Sequence, residues 1–191
     1  LVARDPASGA FGIIVCSSSP AVAARCAHPR AGVGVVASQN VTNPALGPAV
    51  LDRLSDGLDA EKALSAALSA EHHPEYRQVS VVDAHGHTAL HSGARSLGTY
   101  GGVEGDQAVA AGNMLADLSV LESLLNGYAD SAADTFEQRL LDGLHSALDA
   151  GGEEGPVHSA GLLVVEDVPW PVTDLRVDFA DDPLDVLASL W

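Results

Sequence analysis

The sequence is poor in basic residues, aromatic residues and long apolar segments. Nine lysines and arginines, among them the single lysine Lys62, oppose 26 acidic residues and leave a net charge of −17. A basic groove for nucleic acid or a basic patch for an anionic lipid surface is therefore not expected. The apolar runs are too short to span a bilayer, and no basic-then-apolar signal segment opens the chain. We expect no nucleic-acid or membrane partner.

Cysteine is scarce as well, with only Cys16 and Cys26 in the chain. Both lie in apolar surroundings, which favours free buried thiols and a cytoplasmic protein, although a disulfide stays open. Cys16 is an alternative nucleophile, but a structural thiol is favoured because no His, Lys or Arg adjoins it in sequence to lower its pKa. No Cys/His spacing is typical of a metal site, so we predict no metal and no other cofactor.

Hydrophobic residues make up 47% of the 191 residues, which indicates a globular chain. This length suffices for one domain with a full core, and nothing in the composition suggests a linker. We therefore predict a single domain over residues 1–191.

The segment 31–54 predicts a strand, a polar turn and a helix in succession. Small and β-branched residues at 32–37 indicate a strand buried on both faces, and a polar turn at 38–43 follows. Asn43 is the predicted N-cap and Pro44 the first residue of a helix to Leu54. A polar turn at a helix N-terminus can hold a carboxylate, a phosphate or a tetrahedral oxyanion. From this segment alone, an ordinary strand-to-helix connection is the favoured alternative.

The rest of the chain alternates strand pairs with helix pairs. Residues 18–30 predict a loop with a short extended or helical piece, and the glycine-rich residues 93–106 predict a loop. Strand hairpins separated by helix pairs favour antiparallel sheets, so we predict an α+β fold: a four-layer α/β/β/α sandwich of two antiparallel sheets. The remaining predicted strands are 1–4, 10–17, 76–83, 87–92, 107–111, 159–166 and 175–178, and the remaining helices are 60–70, 115–128, 132–150 and 183–191. Asp59 is the predicted N-cap of the helix 60–70, whose apolar residues are spaced to share one face.

Several motifs, in order along nearly the whole chain, resemble one family. They are Leu1-Val-Ala-Arg-Asp-Pro, Thr42-Asn43-Pro44 with Gly47-Pro48, Tyr76-Arg77-Gln78 before Val82-Asp83, Gly112-Asn113-Met114-Leu115, Ser159-Ala160 before Leu162-Leu163-Val164-Val165, and Leu175-Arg176-Val177-Asp178 before Asp182-Pro183. On these motifs the chain resembles the DUF1028 proteins, a group assigned to the N-terminal nucleophile (Ntn) hydrolases, which include the proteasome β-subunits.

The resemblance implies a particular chemistry. In Ntn hydrolases an N-terminal Thr, Ser or Cys attacks a carbonyl, and its own α-amine is the general base. Leu1 carries no nucleophile, whereas DUF1028 proteins usually have a few residues ahead of this point, commonly including Thr or Ser. We therefore expect a short N-terminal piece before Leu1. The chain also departs from the family at 151–156, where a basic residue that often follows Gly-Gly-Asp is missing.

By position in the Ntn layout, the backbone N–H groups of Ser38 and Gln39 are the predicted oxyanion donors. Asn113 is a second amide near the reacting carbonyl, with a helix N-cap as its equal alternative. Ser17 is predicted to hydrogen-bond the N-terminal amine.

Three further side chains are predicted to bind substrate. Asn40 and Asn43 follow the oxyanion segment closely. Arg77 could bind a substrate carboxylate, although an internal ion pair is the favoured alternative in so acidic a chain.

Together these expectations predict a hydrolase that cleaves a small amide or cyclic imide through a Thr or Ser just before Leu1. The alternative is a non-catalytic Ntn-fold protein that binds a small molecule or supports an assembly. A homo-oligomer is expected because relatives by fold assemble through their helical layers.

Overall fold

Ten strands form two antiparallel sheets in the computed structural model, which describes residues 1–191. Sheet A has six strands in the order β10-β9-β2-β1-β8-β7, and sheet B has four in the order β3-β4-β5-β6. The strands are β1 (Val2–Arg4), β2 (Phe11–Ser17), β3 (Ala27–Arg30), β4 (Gly34–Asn40), β5 (Arg77–Asp83), β6 (Thr88–Ser92), β7 (Thr99–Gly105), β8 (Ala108–Leu115), β9 (Ser159–Val165) and β10 (Thr173–Val177).

Six α-helices accompany the sheets, and a 3-10 turn covers Pro74–Tyr76. None of these helices combines the length and the apolar character that crossing a membrane requires. The helices are α1 (Val22–Cys26), α2 (Leu46–Ser55), α3 (Ala60–Ser69), α4 (Ser119–Ala129), α5 (Phe136–Asp149) and α6 (Pro183–Leu190).

Three apolar clusters hold the layers together. One lies between the sheets and includes Val2, Ile13 and Val109 of sheet A with Val35 and Val82 of sheet B. A second packs α4, α5 and α6 on the outer face of sheet A, and a third packs α2 and α3 on the outer face of sheet B. The predicted α+β arrangement of two antiparallel sheets is confirmed.

The first strand lies inside sheet A, between β2 and β8. Its residues alternate between the two faces, as a pleated strand requires. Val2 belongs to the cluster between the sheets, whereas Leu1 and Ala3 belong to the cluster under the helices. The start of the chain is consequently held on both sides by hydrogen-bonded neighbours.

The loop predicted over 93–106 is wrong in its second half, because β7 occupies Thr99–Gly105. Glycine has a low strand propensity, so the sequence reads as a loop. Pairing with β8 decides the structure instead, and the missing side chains allow close packing: a Cβ at Gly102 would lie 2.3 Å from Leu90 Cδ2 of β6. In the less regular region 18–30, the structure has the short helix α1 followed by the edge strand β3.

The polar turn predicted at 38–43 also needs correction, because β4 continues through Asn40 in register with β5. Asn43 is not the N-cap of a helix that begins at Pro44; α2 begins at Leu46. Asn43 Oδ1 nevertheless accepts a hydrogen bond from the Ala45 N–H at 3.1 Å, in the turn before the helix.

Helices α4 and α5 both begin later in the chain than predicted. Strand β8 runs to Leu115, so Asn113 lies within a strand and α4 begins only at Ser119. Helix α5 begins at Phe136 rather than at residue 132. Its N-cap is Thr135, whose hydroxyl accepts a hydrogen bond from the Gln138 N–H. The predicted cap of α3 is confirmed, because the Asp59 carboxylate accepts from the Lys62 N–H at 2.9 Å.

Gly93 gives a sharp test of the packing that follows β6. A Cβ at this position would lie 2.3 Å from the Glu75 carbonyl oxygen and 2.5 Å from that of Pro74, and backbone atoms cannot rotate away. We expect Gly93→Ala to lower the free energy of unfolding by about 2–4 kcal/mol. The control is Gly101→Ala, whose Cβ meets only flexible leucine ends at 3.3 Å or more and should change stability by less than about 0.5 kcal/mol. Urea titrations measure both, and equal effects would contradict this packing.

Candidate functional site

A cavity of about 180 Å³ lies at the end of the sandwich where β1 begins. It is smaller than the roughly 300 Å³ at which drug-sized ligand pockets start, so it suits a small ligand. Its lining is mostly apolar, with a few polar side chains set among the apolar ones. The polar lining residues include Ser17, Ser18, Arg25, Gln39, Asn40, Thr42, Asn113 and Glu153, and the apolar ones include Leu1, Ile14, Val15, Cys16, Leu97, Ala111, Met114 and Leu124.

The Leu1 nitrogen lies at this cavity. It donates a buried hydrogen bond of 3.0 Å to the Ile14 carbonyl, and the Ile14 N–H donates one of 3.0 Å to the Leu1 carbonyl. Leu1 therefore extends the antiparallel register of Val2 with Ile13 by one residue. Burial lowers the pKa of the Leu1 amine from its ordinary value near 8 to about 6, with the nearby Cys16 opposing this shift. The site thus favours a neutral amine.

A cluster of three amide side chains lies beside the first strand, with the fully buried Gln78 at its centre. Gln78 Oε1 accepts hydrogen bonds from Gln39 Nε2 at 2.8 Å and from Asn113 Nδ2 at 3.1 Å. Gln78 Nε2 donates to the carbonyls of Gly101 and Gly112 at 3.0 and 2.9 Å, and lies 2.9 Å from Ser92 Oγ. Strands β4, β5, β7 and β8 are joined through this one side chain.

Backbone carbonyls determine which way these amides point. A carbonyl oxygen can only accept, so the Gln78 atom facing Gly101 and Gly112 must be its nitrogen, and Oε1 must face the other two amides. Gln39 Nε2 likewise donates to the Ala111 carbonyl at 3.1 Å. Both N–H groups of Gln39 are therefore engaged within the protein. Its Oε1 accepts no hydrogen bond from the protein. This oxygen is also not fully buried, so it stays accessible.

The structure brings Gln39 and Asn113 together at the cavity but not Ser38. The Ser38 side chain is fully buried, lies outside the lining and donates to the Asn43 carbonyl at 2.9 Å. Ser17 lines the cavity, yet the Leu1 amine donates to Ile14, and Ser17 Oγ accepts instead from the Ser19 N–H at 3.1 Å.

Asn43 and Arg77 lie outside the cavity lining, around Glu71. Arg77 Nη2 is 3.1 Å from Glu71 Oε1, and Asn43 Nδ2 donates to Glu71 Oε2 at 2.6 Å. Although burial opposes it, these two side chains and the His73 N–H lower the pKa of Glu71 to about 2. The internal ion pair favoured for Arg77 is thus what the structure contains.

Asn40 lines the cavity, but its side chain is engaged by the protein. It has a positive φ of 71° at the end of β4, a conformation that Asn tolerates better than most residues. Its Nδ2 donates to the Tyr76 carbonyl, and its Oδ1 accepts from the Leu97 N–H at 3.1 Å. Asn40 therefore shapes the cavity wall.

Cys16 also lines the cavity, and both cysteines are free. Burial and the nearby Glu153 carboxylate raise the pKa of the Cys16 thiol to about 12, opposed by the N-terminal amine. The thiolate is the reactive form of cysteine, so this environment disfavours Cys16 as a nucleophile.

We expect Cys16 in the folded protein to react with iodoacetamide at pH 8 about a thousandfold more slowly than in unfolded protein, because its pKa of about 12 leaves little thiolate. Quenched time points and mass spectrometry of the Cys16 peptide give the rate, with urea-unfolded protein as the control. Alkylation at the unfolded rate would restore Cys16 as a candidate nucleophile.

Sequence reasoning missed two polar residues of the site. Glu153 follows α5, and its carboxylate accepts from the Ser18 N–H at 3.0 Å and from the Ser18 hydroxyl. The sequence predicts Gln78 only as part of the strand 76–83. A signal for Gln78 existed, since it lies within a buried strand otherwise rich in valine, where an unpaired amide would be costly. No group of three or more His, Cys, Asp or Glu side chains is arranged to hold a metal.

The fold and the cavity define an α+β sandwich with a small, partly polar site at the start of its first strand. The model of a family of unknown function, DUF1028, matches residues 1–187, so the chain belongs to this family. The crystal structure of a DUF1028 protein from Silicibacter pomeroyi is similar, with a TM-score of 0.92 and 32% identity. The match covers 99% of this chain and 82% of that one. No curated protein matches the chain.

Proposed function

We propose that the protein is an Ntn-type hydrolase of a small amide or cyclic imide, and that a Thr or Ser joined to the Leu1 nitrogen is the nucleophile. The observation that carries this proposal is the position of that nitrogen, buried at the cavity and held by Ile14. A residue attached there enters the cavity directly.

The strand register supports this placement. Leu1 pairs with Ile14, and Val2 pairs with Val109 of β8, so a residue before Leu1 would lie between Val15 and Ala111. Side chains alternate along a strand, so its side chain would share the face of Val2, which points between the sheets. The Ala111 carbonyl there accepts from Gln39, which brings the amide cluster next to the proposed nucleophile.

The proposed attack uses the groups of this face. The α-amine of the Thr or Ser takes the hydroxyl proton as the oxygen attacks the substrate carbonyl, and the tetrahedral oxyanion is stabilised by N–H donors. The proposed donor is the N–H of Asn113 that Gln78 does not engage. The backbone N–H groups of Ser38 and Gln39 point to opposite sides of β4, so they cannot both face one oxyanion. The amine then protonates the leaving nitrogen, and water releases the acyl group.

The buried position of the Leu1 nitrogen sets the expected pH dependence. An amine in this cavity has a pKa lowered by burial, to about 6 for Leu1 itself, and only the neutral amine can act as a base. We expect kcat/KM to rise with pH through an apparent pKa between about 6 and 8 and then to level off.

The experiment follows hydrolysis of a panel of small amides, lactams and imides by proton NMR from pH 5 to pH 9. Cleavage with this rising profile supports the hydrolase. A rate that falls across this range would contradict an amine base. Binding without any cleavage by a chain that begins at Leu1 would support the rival function, a non-catalytic small-molecule-binding or assembly protein.

A further inference from the structure

The amide cluster presents hydrogen-bond acceptors to the cavity. Gln39 donates with both of its N–H groups to Gln78 and Ala111, so only its carbonyl oxygen is available to a ligand. Asn113 donates one N–H to Gln78 Oε1, and its own Oδ1 makes no hydrogen bond within the protein. Gln78 holds both amides in this orientation because its own nitrogen faces backbone carbonyls.

The charged side chains of the cavity lining also favour a ligand that donates hydrogen bonds. The Glu153 carboxylate lies at the cavity, where Ser18 supplies its protein hydrogen bonds. Arg25 is the one basic side chain in the lining, and its guanidinium donates to the Pro20 carbonyl. An anionic ligand would meet a carboxylate and two amide oxygens as well as Arg25, whereas a ligand with N–H groups would meet acceptors that the protein leaves free.

We propose that the ligand of this cavity is a small neutral molecule recognised through its N–H groups, with Gln39 Oε1 as the residue atom that determines specificity. Primary amides, lactams, imides and ureido compounds belong to this class. Ketones, esters and N-alkylated amides of the same size do not. The inference deepens the proposed function, and rests on it only in taking this cavity as the site.

The size of the effect follows from the unpaired acceptor. A ligand without the N–H leaves Gln39 Oε1 desolvated and unbonded, which costs more than the loss of an average hydrogen bond. The apolar residues of the cavity lining, including Leu1, Val15 and Leu97, carry no donor on their side chains. We expect at least a tenfold difference in Kd between matched ligands with and without the N–H group.

The test uses 2-pyrrolidinone against cyclopentanone, in which a methylene replaces the N–H without a change in ring size, and N-methylpyrrolidinone as a third probe. Ligand-observed NMR titrations with the full chain give the three dissociation constants. The proposal expects the lactam to bind at least tenfold more tightly than the other two. Equal binding, tighter binding of the ketone, or no binding of the lactam would overturn it.

Gln39→Met locates the effect, because the side chain keeps its length and loses the acceptor. The preference for the lactam should disappear in this variant, and its persistence would overturn the assignment to Gln39. Asn113→Leu, which leaves Gln39 intact, should retain at least part of the preference and serves if Gln39→Met does not fold. A preference for the lactam without any hydrolysis would reject the hydrolase while supporting this recognition, so the two failures are distinguishable.

Discussion

Replacing the Thr or Ser proposed before Leu1 with Ala should lower kcat by about a thousandfold or more, because nucleophile and covalent intermediate are lost together. Ligand binding should change little, since the cavity walls remain. The assay is hydrolysis of the best amide from the panel, with circular dichroism and NMR binding on the same preparation.

The matched control is the exchange of Thr for Ser, or of Ser for Thr, at that position. This change keeps a hydroxyl beside the amine and should retain measurable activity, whereas the Ala variant should not. Full activity of the Ala variant would exclude an N-terminal hydroxyl as nucleophile.

Gln78→Leu is expected to lower the free energy of unfolding by about 3–5 kcal/mol. The change leaves the carbonyls of Gly101 and Gly112 and an N–H of Asn113 without their partner in a buried place, and each unpaired group costs roughly 1–3 kcal/mol. Gln39 and Asn113 also lose the acceptor that orients them, so ligand binding should weaken as well.

Gln138→Leu is the control for that experiment, because Gln138 lies half-buried on α5 and donates one side-chain hydrogen bond, of 2.9 Å, to Asp142. Its effect should stay below about 1 kcal/mol. Urea unfolding followed by circular dichroism measures both variants. A loss of less than about 1 kcal/mol for Gln78→Leu would contradict the central role of this side chain.

Sequence patterns predicted individual strands and helices well where the pattern of apolar residues clearly fits one of the two. The small and β-branched residues at 32–37 indicated a strand buried on both faces, and β4 has this character. Asp59 and the apolar spacing after it indicated the start of α3 correctly. Local chemistry suffices in these segments because the tertiary contacts agree with it.

The errors arise where pairing partners override local preference. Glycines 101 and 102 predicted a loop, yet they lie in the edge strand β7. Strand β8 supplies their hydrogen-bond partners, and the absence of a side chain at Gly102 leaves room for Leu90 of β6. Ser38 and Gln39 read as a turn, yet β5 extends the ladder past them. Pairing at long range cannot be read from residues three or four apart.

The site shows the same division. The layout implied by the family resemblance predicted Ser38 and Gln39 at the reacting centre, and the end of a strand predicted Asn113 there. Gln39 and Asn113 line the cavity with Leu1, whereas Ser38 does not. Nothing in the sequence reveals which way an amide points, since this depends on the carbonyls of Gly101, Gly112 and Ala111 from other strands. The acceptor character of the cavity is therefore visible only in the structure.

The most direct measurement of the central claim is the identity of the mature N-terminal residue in protein from its native source. Intact mass and sequencing of the N-terminal peptide give both the residue joined to Leu1 and the state of its amine. The account predicts Thr or Ser with a free α-amine immediately before Leu1. A mature chain that begins at Leu1, a preceding residue without a nucleophilic side chain, or a blocked amine would contradict it.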